Sequence, residues 1–130
     1  MCMNKWEALE NVLNNYHENV PEDFWLDEEF VFHACHWNGF NFRFANLSLK
    51  KNKKFVLKII KYWGYSFEYA DDKLKRDRNF ILEALSFNAS IFKHIDPSLK
   101  NDKHFISEVL KTCHFASDYF DENFEKKQNL

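Results

Sequence analysis

A spacing of 25 residues governs this chain: Leu49, Leu74 and Leu99 recur at that interval, and Phe24 and Phe124 continue the series at either end. Six residues after each of the first four anchors stands an aromatic, Phe30, Phe55, Phe80 or Phe105, followed in turn by Val31, Val56, Ile81 or Ile106. Self-similarity at such a period marks a repeat architecture, in which no unit buries its apolar face alone and stacking supplies the core. The expected fold is all-α: a short right-handed-type solenoid or compact array of about four 25-residue helix-turn-short-helix repeats with an N-terminal capping helix. The expected organisation is a single domain over 1–130, with a cap at 1–23, repeats at 24–48, 49–73, 74–98 and 99–123, and a truncated repeat or tail at 124–130.

Composition agrees with helix. Two Gly and two Pro are too few for the punctuated turns of a sandwich or barrel. Fifteen Phe supply large side chains for burial. Cys2, Cys35 and Cys113 are odd in number and lack C-x-x-C spacing, so they indicate neither a disulfide framework nor a zinc knuckle. With no signal-peptide run at the amino terminus and no stretch of about 18 apolar residues, the expectation is a cytoplasmic protein without membrane contact.

Within each unit a helix start is legible. Asp27, Asn52, Asp77 and Asp102 fall three residues before the recurring Phe, where a short polar side chain satisfies free amide donors. Apolar residues follow at helical spacing, as in Phe55, Ile59, Ile60 and Tyr62, or Phe80, Ala84, Leu85 and Phe87, and predict one buried stripe. The helix is expected to stop at Asn38-Gly39 and Trp63-Gly64, with Gly in the left-handed cap conformation; Ala89 and His114 hold that column in the later units. Next come GFNFRFA, GYSFEYA, ASIFKHI and HFASDYF, expected to form short helical turns pressing Phe42, Phe67 and Phe92 inward. A further turn would be capped by Asp71 or Asp96, with Pro97 suited to the first helical position. Trp6 to Val20, with Leu9, Val12, Leu13 and Tyr16 at helical spacing, predicts the capping helix, and FEKKQNL predicts the start of a fifth, uncompleted unit.

The units LKKNKKFVLKIIKYWGYSFEYADD and LKRDRNFILEALSFNASIFKHIDP resemble the repeat family known as domain of unknown function 4116, whose units run Leu, polar, Asn-Asp, Phe-Val-Leu, then Asn-Gly. The resemblance covers about residues 24 to 123; the first unit departs from it, with Trp25 and Leu26 in place of the polar pair. It implies helical repeats and an interaction role, and it transfers no catalytic residue.

Equivalent columns separate scaffold from exception. Ile59, Ile60, Ala84, Leu85, Val109 and Leu110 join the four Phe as expected core, and Cys35 shares the column of Ile60, Leu85 and Leu110, which predicts a small buried hydrophobe. His33 and His36 lie three apart, a spacing that could face one metal ion, but their columns hold Lys58, Glu83 and Glu108, and Lys61, Ser86 and Lys111, which are solvent-facing types. With no further ligand pair, no Gly-rich phosphate loop, and His94, His104 and His114 lacking a partner at motif spacing, neither a metal, a cofactor nor an enzyme is expected.

Charge is distributed unevenly beneath a net value of -2. Residues 1–48 carry eight acidic and two basic side chains, whereas 49–78 carry four acidic and ten basic. Lys50, Lys51, Lys53 and Lys54 recur one unit on as Lys75, Arg76 and Arg78, which predicts a basic ridge able to meet phosphates or an acidic protein face. The opposite end offers Glu22, Asp23, Glu28 and Glu29 around Trp25, whose column otherwise holds Lys50, Lys75 and Lys100; this predicts an exposed indole serving as an interface anchor. Trp63 departs in a similar way from its column of Asn38, Asn88 and Cys113, and either tryptophan could equally cover a gap between a repeat and its cap.

These features lead to an expected non-enzymatic protein-binding module, an inhibitor or adaptor of a protein or nucleoprotein partner. One version is a phage-encoded blocker of a defence nuclease, similar to anti-CRISPR proteins in size and lack of motifs. The alternative is direct RNA or DNA binding through the basic ridge, with Tyr62, Trp63 or Tyr65 available for stacking. No small-molecule substrate is expected.

Overall fold

The computed structural model describes residues 3–112, and every element among them is helical. After α1 (Lys5–Leu13) and two 3-10 turns, His17–Asn19 and Glu22–Leu26, comes α2 (Glu28–Trp37). Then follow a 3-10 segment Gly39–Phe44, the single-turn α3 (Leu47–Lys50) and α4 (Lys53–Tyr62). The pattern recurs 25 residues on as Gly64–Tyr69, α5 (Asp72–Lys75) and α6 (Arg78–Phe87), and again as Ala89–His94, α7 (Pro97–Lys100) and α8 (Lys103–Thr112). The expected stop at His114, the segment HFASDYF, Cys2, Cys113 and residues 124–130 lie outside the described residues.

Each long helix starts where a side chain takes over an amide that has no earlier carbonyl to bond. Asp27, Asn52, Asp77 and Asp102 accept from the backbone N–H of Phe30, Phe55, Phe80 and Phe105 at 3.2, 3.1, 3.1 and 3.1 Å, each such cap contributing about 1 kcal/mol. The single-turn helices use the same chemistry: Asn46, Asp71 and Asp96 accept from the amides of Ser48, Lys73 and Ser98, and Pro97 sits in the first turn of α7.

The long helices pack side by side, α1 on α2, α2 on α4, α4 on α6 and α6 on α8, while successive 3-10 segments pack on one another. Phe30, Phe55, Phe80 and Phe105, with Ala34, Ile59, Ile60, Ala84, Leu85 and Val109, are buried between them; Leu110 is partly buried. Main-chain bonds link the start of each single-turn helix to the corresponding turn before it: the amides of Asn46, Asp71 and Asp96 donate to the carbonyls of Trp25, Lys50 and Lys75 at 2.8, 3.1 and 3.0 Å.

Three expectations are corrected here. No glycine among the described residues has a positive φ. Gly39 and Gly64 instead open the 3-10 segments, where the next unit approaches too closely for a side chain. A Cβ at Gly39 would lie 2.6 Å from the Tyr65 hydroxyl and 2.8 Å from Ser66 Oγ, and one at Gly64 would meet Ser90 and Asn88. The Gly39 N–H donates to Tyr65 Oη at 3.0 Å, and the buried Ser66 Oγ donates to the Gly39 carbonyl at 2.7 Å. Second, Tyr62 and Phe87 do not extend the buried stripe; they are 61% and 52% exposed. Each is the last residue of its helix, with no later turn to close over it. Third, Phe42 and Phe67 are buried, but in the third 3-10 segment Ile91 is the buried residue and Phe92 is only half-buried.

Candidate partner-binding face

The basic ridge resolves into side chains with different tasks. Lys50 and Lys100 donate from Nζ to the carbonyls of Arg43 and Lys93 at 2.7 and 2.9 Å, and Lys75 does the same to Glu68, so that this column ties each single-turn helix to the 3-10 segment before it. Their stems lie half-buried along the surface, as long cationic side chains do when the head reaches a polar partner. Burial pushes the Lys50 ammonium below the ordinary lysine value. Lys53 reaches across to Asp77, the capping residue of the next long helix, at 3.0 Å, and Arg78 reaches Asp102 in the same manner. Of the seven predicted ridge residues, Lys51, Lys54 and Arg76 are thus exposed and assigned to neither arrangement.

At the acidic end, Glu22, Asp23, Glu28 and Glu29 are exposed. Glu29 pairs with Lys5 at 3.0 Å and lies 3.8 Å from His33. Trp25 is corrected: it is 7% exposed, its ring meeting Phe30 edge-on at 5.2 Å and tilted against Phe44 at 5.4 Å. The lysines of its column are themselves half-buried, and an indole in that place goes further in. Trp63 is half-buried against Phe32 at 5.3 Å and His36 at 6.3 Å, both on the preceding long helix.

Three of the large apolar side chains that the scaffold leaves in water fall in one register. Trp37, Tyr62 and Phe87 close α2, α4 and α6 at the same column and are 55%, 61% and 52% exposed. Beside them lie two grooves. One, of about 240 Å³, is lined by Trp6, Leu9, Glu10, Leu13, His33, His36 and Trp37, between α1 and α2. The other, of about 300 Å³, is lined by Lys54, Leu57, Lys58, Lys61, Tyr62, Glu83 and Phe87, between α4 and α6. His33 and His36 correspond in column to Lys58 and Lys61, so both grooves open on equivalent sides of their helices. Lys58 Nζ sits 4.4 Å from the centre of the Phe32 ring, and Lys61 Nζ lies 5.8 Å from that of Phe87; such cation–π contacts hold an ammonium in place without neutralising it.

Sequence reasoning offered Tyr62 only for stacking on nucleic acid and missed the column as such, because Tyr62 and Phe87 continue the apolar spacing of their helices. The available signal was position: the residue immediately before the stop at Trp63 or Asn38 has no following turn.

Cys35 is fully buried and burial pushes its thiol up to about 12, as fits a small hydrophobe and not a thiolate nucleophile. Among the described residues no group of three or more His, Cys, Asp or Glu is placed to hold a metal ion, and no helix is long and apolar enough to cross a membrane.

Helical segments of one design, recurring with the same main-chain bonds, caps and lysine tethers, define an all-α repeat protein. More specifically, the chain belongs to the family described as domain of unknown function (DUF4116), whose model matches residues 18–76 and 77–125 in two adjacent segments. No curated protein and no solved structure matches it.

Proposed function

We propose that the chain is a non-enzymatic binding module, a short solenoid of four 25-residue units behind a capping helix, that captures a protein partner as an inhibitor or adaptor. The observation that carries this reading is the column of Trp37, Tyr62 and Phe87, three large rings left more than half in water at one register of adjoining helices. Rings in that setting lie mostly in water, and aromatic side chains flanking a groove are what interface centres are built from. Trp6, 73% exposed beside the α1/α2 groove, extends the same face. The acidic residues Glu22, Asp23 and Glu28 then serve as a solvated rim that steers encounter, without Trp25 as their anchor.

The test is capture of partners from nuclease-treated lysate of the source cell by the wild-type chain and by a Trp37→Ala, Tyr62→Ala, Phe87→Ala variant with an unchanged helical circular dichroism spectrum. The expected outcome is loss of a partner from the variant. Retention of every wild-type partner by the folded variant would refute the assignment of this face.

A further inference from the structure

Resting on that reading of the face, we propose that the groove between α4 and α6 holds an acidic peptide segment of the partner carrying an apolar anchor residue. Its carboxylates lie against Lys54, Lys58 and Lys61, and its anchor lies against Leu57, Tyr62 and Phe87. Lys50, Lys75 and Lys100 are tethers, and Lys53 and Arg78 are clasps to the next cap. The groove lysines belong to neither group. In the other units their columns hold Glu29, Asn79 and His104; His33, Glu83 and Glu108; and His36, Ser86 and Lys111. Packing of the units therefore does not call for lysine at these places, and α4 alone among the long helices carries all three.

Charge decides what the groove suits. Three ammonium groups against the single carboxylate of Glu83 give its lining a formal charge of +2, in a chain whose net charge is -2. Lys58 is fixed over Phe32, and Lys61 is near Phe87, so two of the three charges are already placed beside apolar surface. That pairing of fixed cations with exposed rings matches a segment presenting acid and hydrophobe together. A nucleic acid strand fits less well. Following the face past Lys58 in the same column leads to Glu83 and then Glu108, which would repel successive phosphates. A short peptide needs only the one groove.

The test is fluorescence anisotropy with a fluorescein-labelled synthetic peptide of about 12 residues combining Glu and Leu on one helical face. The comparison probes are the same peptide with Leu replaced by Ser, the same with Glu replaced by Lys, and a labelled oligo-dT. The protein variants are Lys54→Glu, Lys58→Glu, Lys61→Glu together, and Lys51→Glu, Arg76→Glu together as a control outside the groove, both verified as folded. The Glu/Leu peptide should bind saturably, weaken about tenfold or more with the groove reversal, keep its affinity with the control reversal, and weaken when Leu becomes Ser. Absence of saturable binding, equal loss in both variants, or tighter binding of oligo-dT would overturn the proposal. In the lysate capture, loss of a partner from the aromatic variant with retention by the groove reversal would sink the acidic-segment assignment and leave the face reading intact; retention by both would sink both.

Discussion

Reversing one half of an inter-unit clasp should be repaired by changing the other half to what the chain already uses one unit earlier. Lys53 Nζ lies 3.0 Å from Asp77 Oδ2, with side chains 62% and 27% exposed, so the pair belongs to the surface class, worth about 0.2–1 kcal/mol. Lys53→Glu removes that attraction and sets two carboxylates against each other, a penalty of similar size, so the variant should lose about 1 kcal/mol. Adding Asp77→Asn keeps the cap of α6, because Asn and Asp serve nearly equally there, and abolishes the repulsion. The resulting Glu-and-Asn combination is the one found as Glu28 and Asn52 at the equivalent positions of the preceding junction. Urea unfolding followed by circular dichroism at low salt gives the double-mutant cycle. Asp77→Asn should destabilise the wild type and stabilise Lys53→Glu, and the difference should shrink in about 1 M NaCl, where screening acts within roughly 3 Å. Additivity within about 0.3–0.5 kcal/mol would refute an electrostatic clasp at this junction.

Three further outcomes are expected. Gly39→Ala and Gly64→Ala should each cost about 1–3 kcal/mol through overpacking against Tyr65 and Ser66 or against Ser90 and Asn88, read as a lowered urea midpoint with unchanged slope; an unshifted midpoint would contradict the close approach. Cys35 should resist alkylation at pH 8 in the folded chain and react on addition of urea, as mapped by mass spectrometry; comparable rates in both conditions would show that the thiol is not buried. Hydrogen bonds from the Phe80 amide, the Ser98 side chain and amide, and the Phe105 amide, assisted by Lys53, Arg76 and Arg78, hold Asp77, Asp96 and Asp102 below the ordinary carboxylate value. The unfolded chain therefore takes up these protons at higher pH than the folded one, so their contribution is complete above about pH 4 and is lost as pH falls through the native values. A Ser98→Ala variant, or Asn at all three positions, should flatten that acid limb of the unfolding midpoint, and an unaltered limb would refute the assignment.

How legible each feature was in the sequence depended on whether it was local. The caps at Asp27, Asn52, Asp77 and Asp102 were readable because a cap is set by one side chain and an amide three residues away. The 25-residue core was readable because Phe30, Phe55, Phe80 and Phe105 mark it independently of geometry. What escaped were facts created between units. The fate of Lys53 depends on Asp77, and the crowding at Gly39 comes from Tyr65 and Ser66, so no inspection of one unit could distinguish a clasp from a free charge or a close approach from a left-handed turn. Trp25 misled for a related reason. A column of lysines suggested a wet position, whereas their heads reach main-chain oxygens over half-buried stems, and tryptophan at such a place has its whole ring to bury.

The main-chain bonds from Asn46 to Trp25, Asp71 to Lys50 and Asp96 to Lys75 give the row a peculiar tolerance to sequence drift. Because the joint is made by an amide and a carbonyl, almost any pair of residues preserves it; the first of these bonds is kept with tryptophan where the next two have lysine. Side chains around these joints are thereby free to diverge toward separate tasks while the spacing of the units stays the same. One residue type is barred. Proline at 46, 71 or 96 would have no hydrogen to donate, and the proline this chain does carry nearby stands one place further on, at Pro97, where the first turn of α7 accepts it without loss.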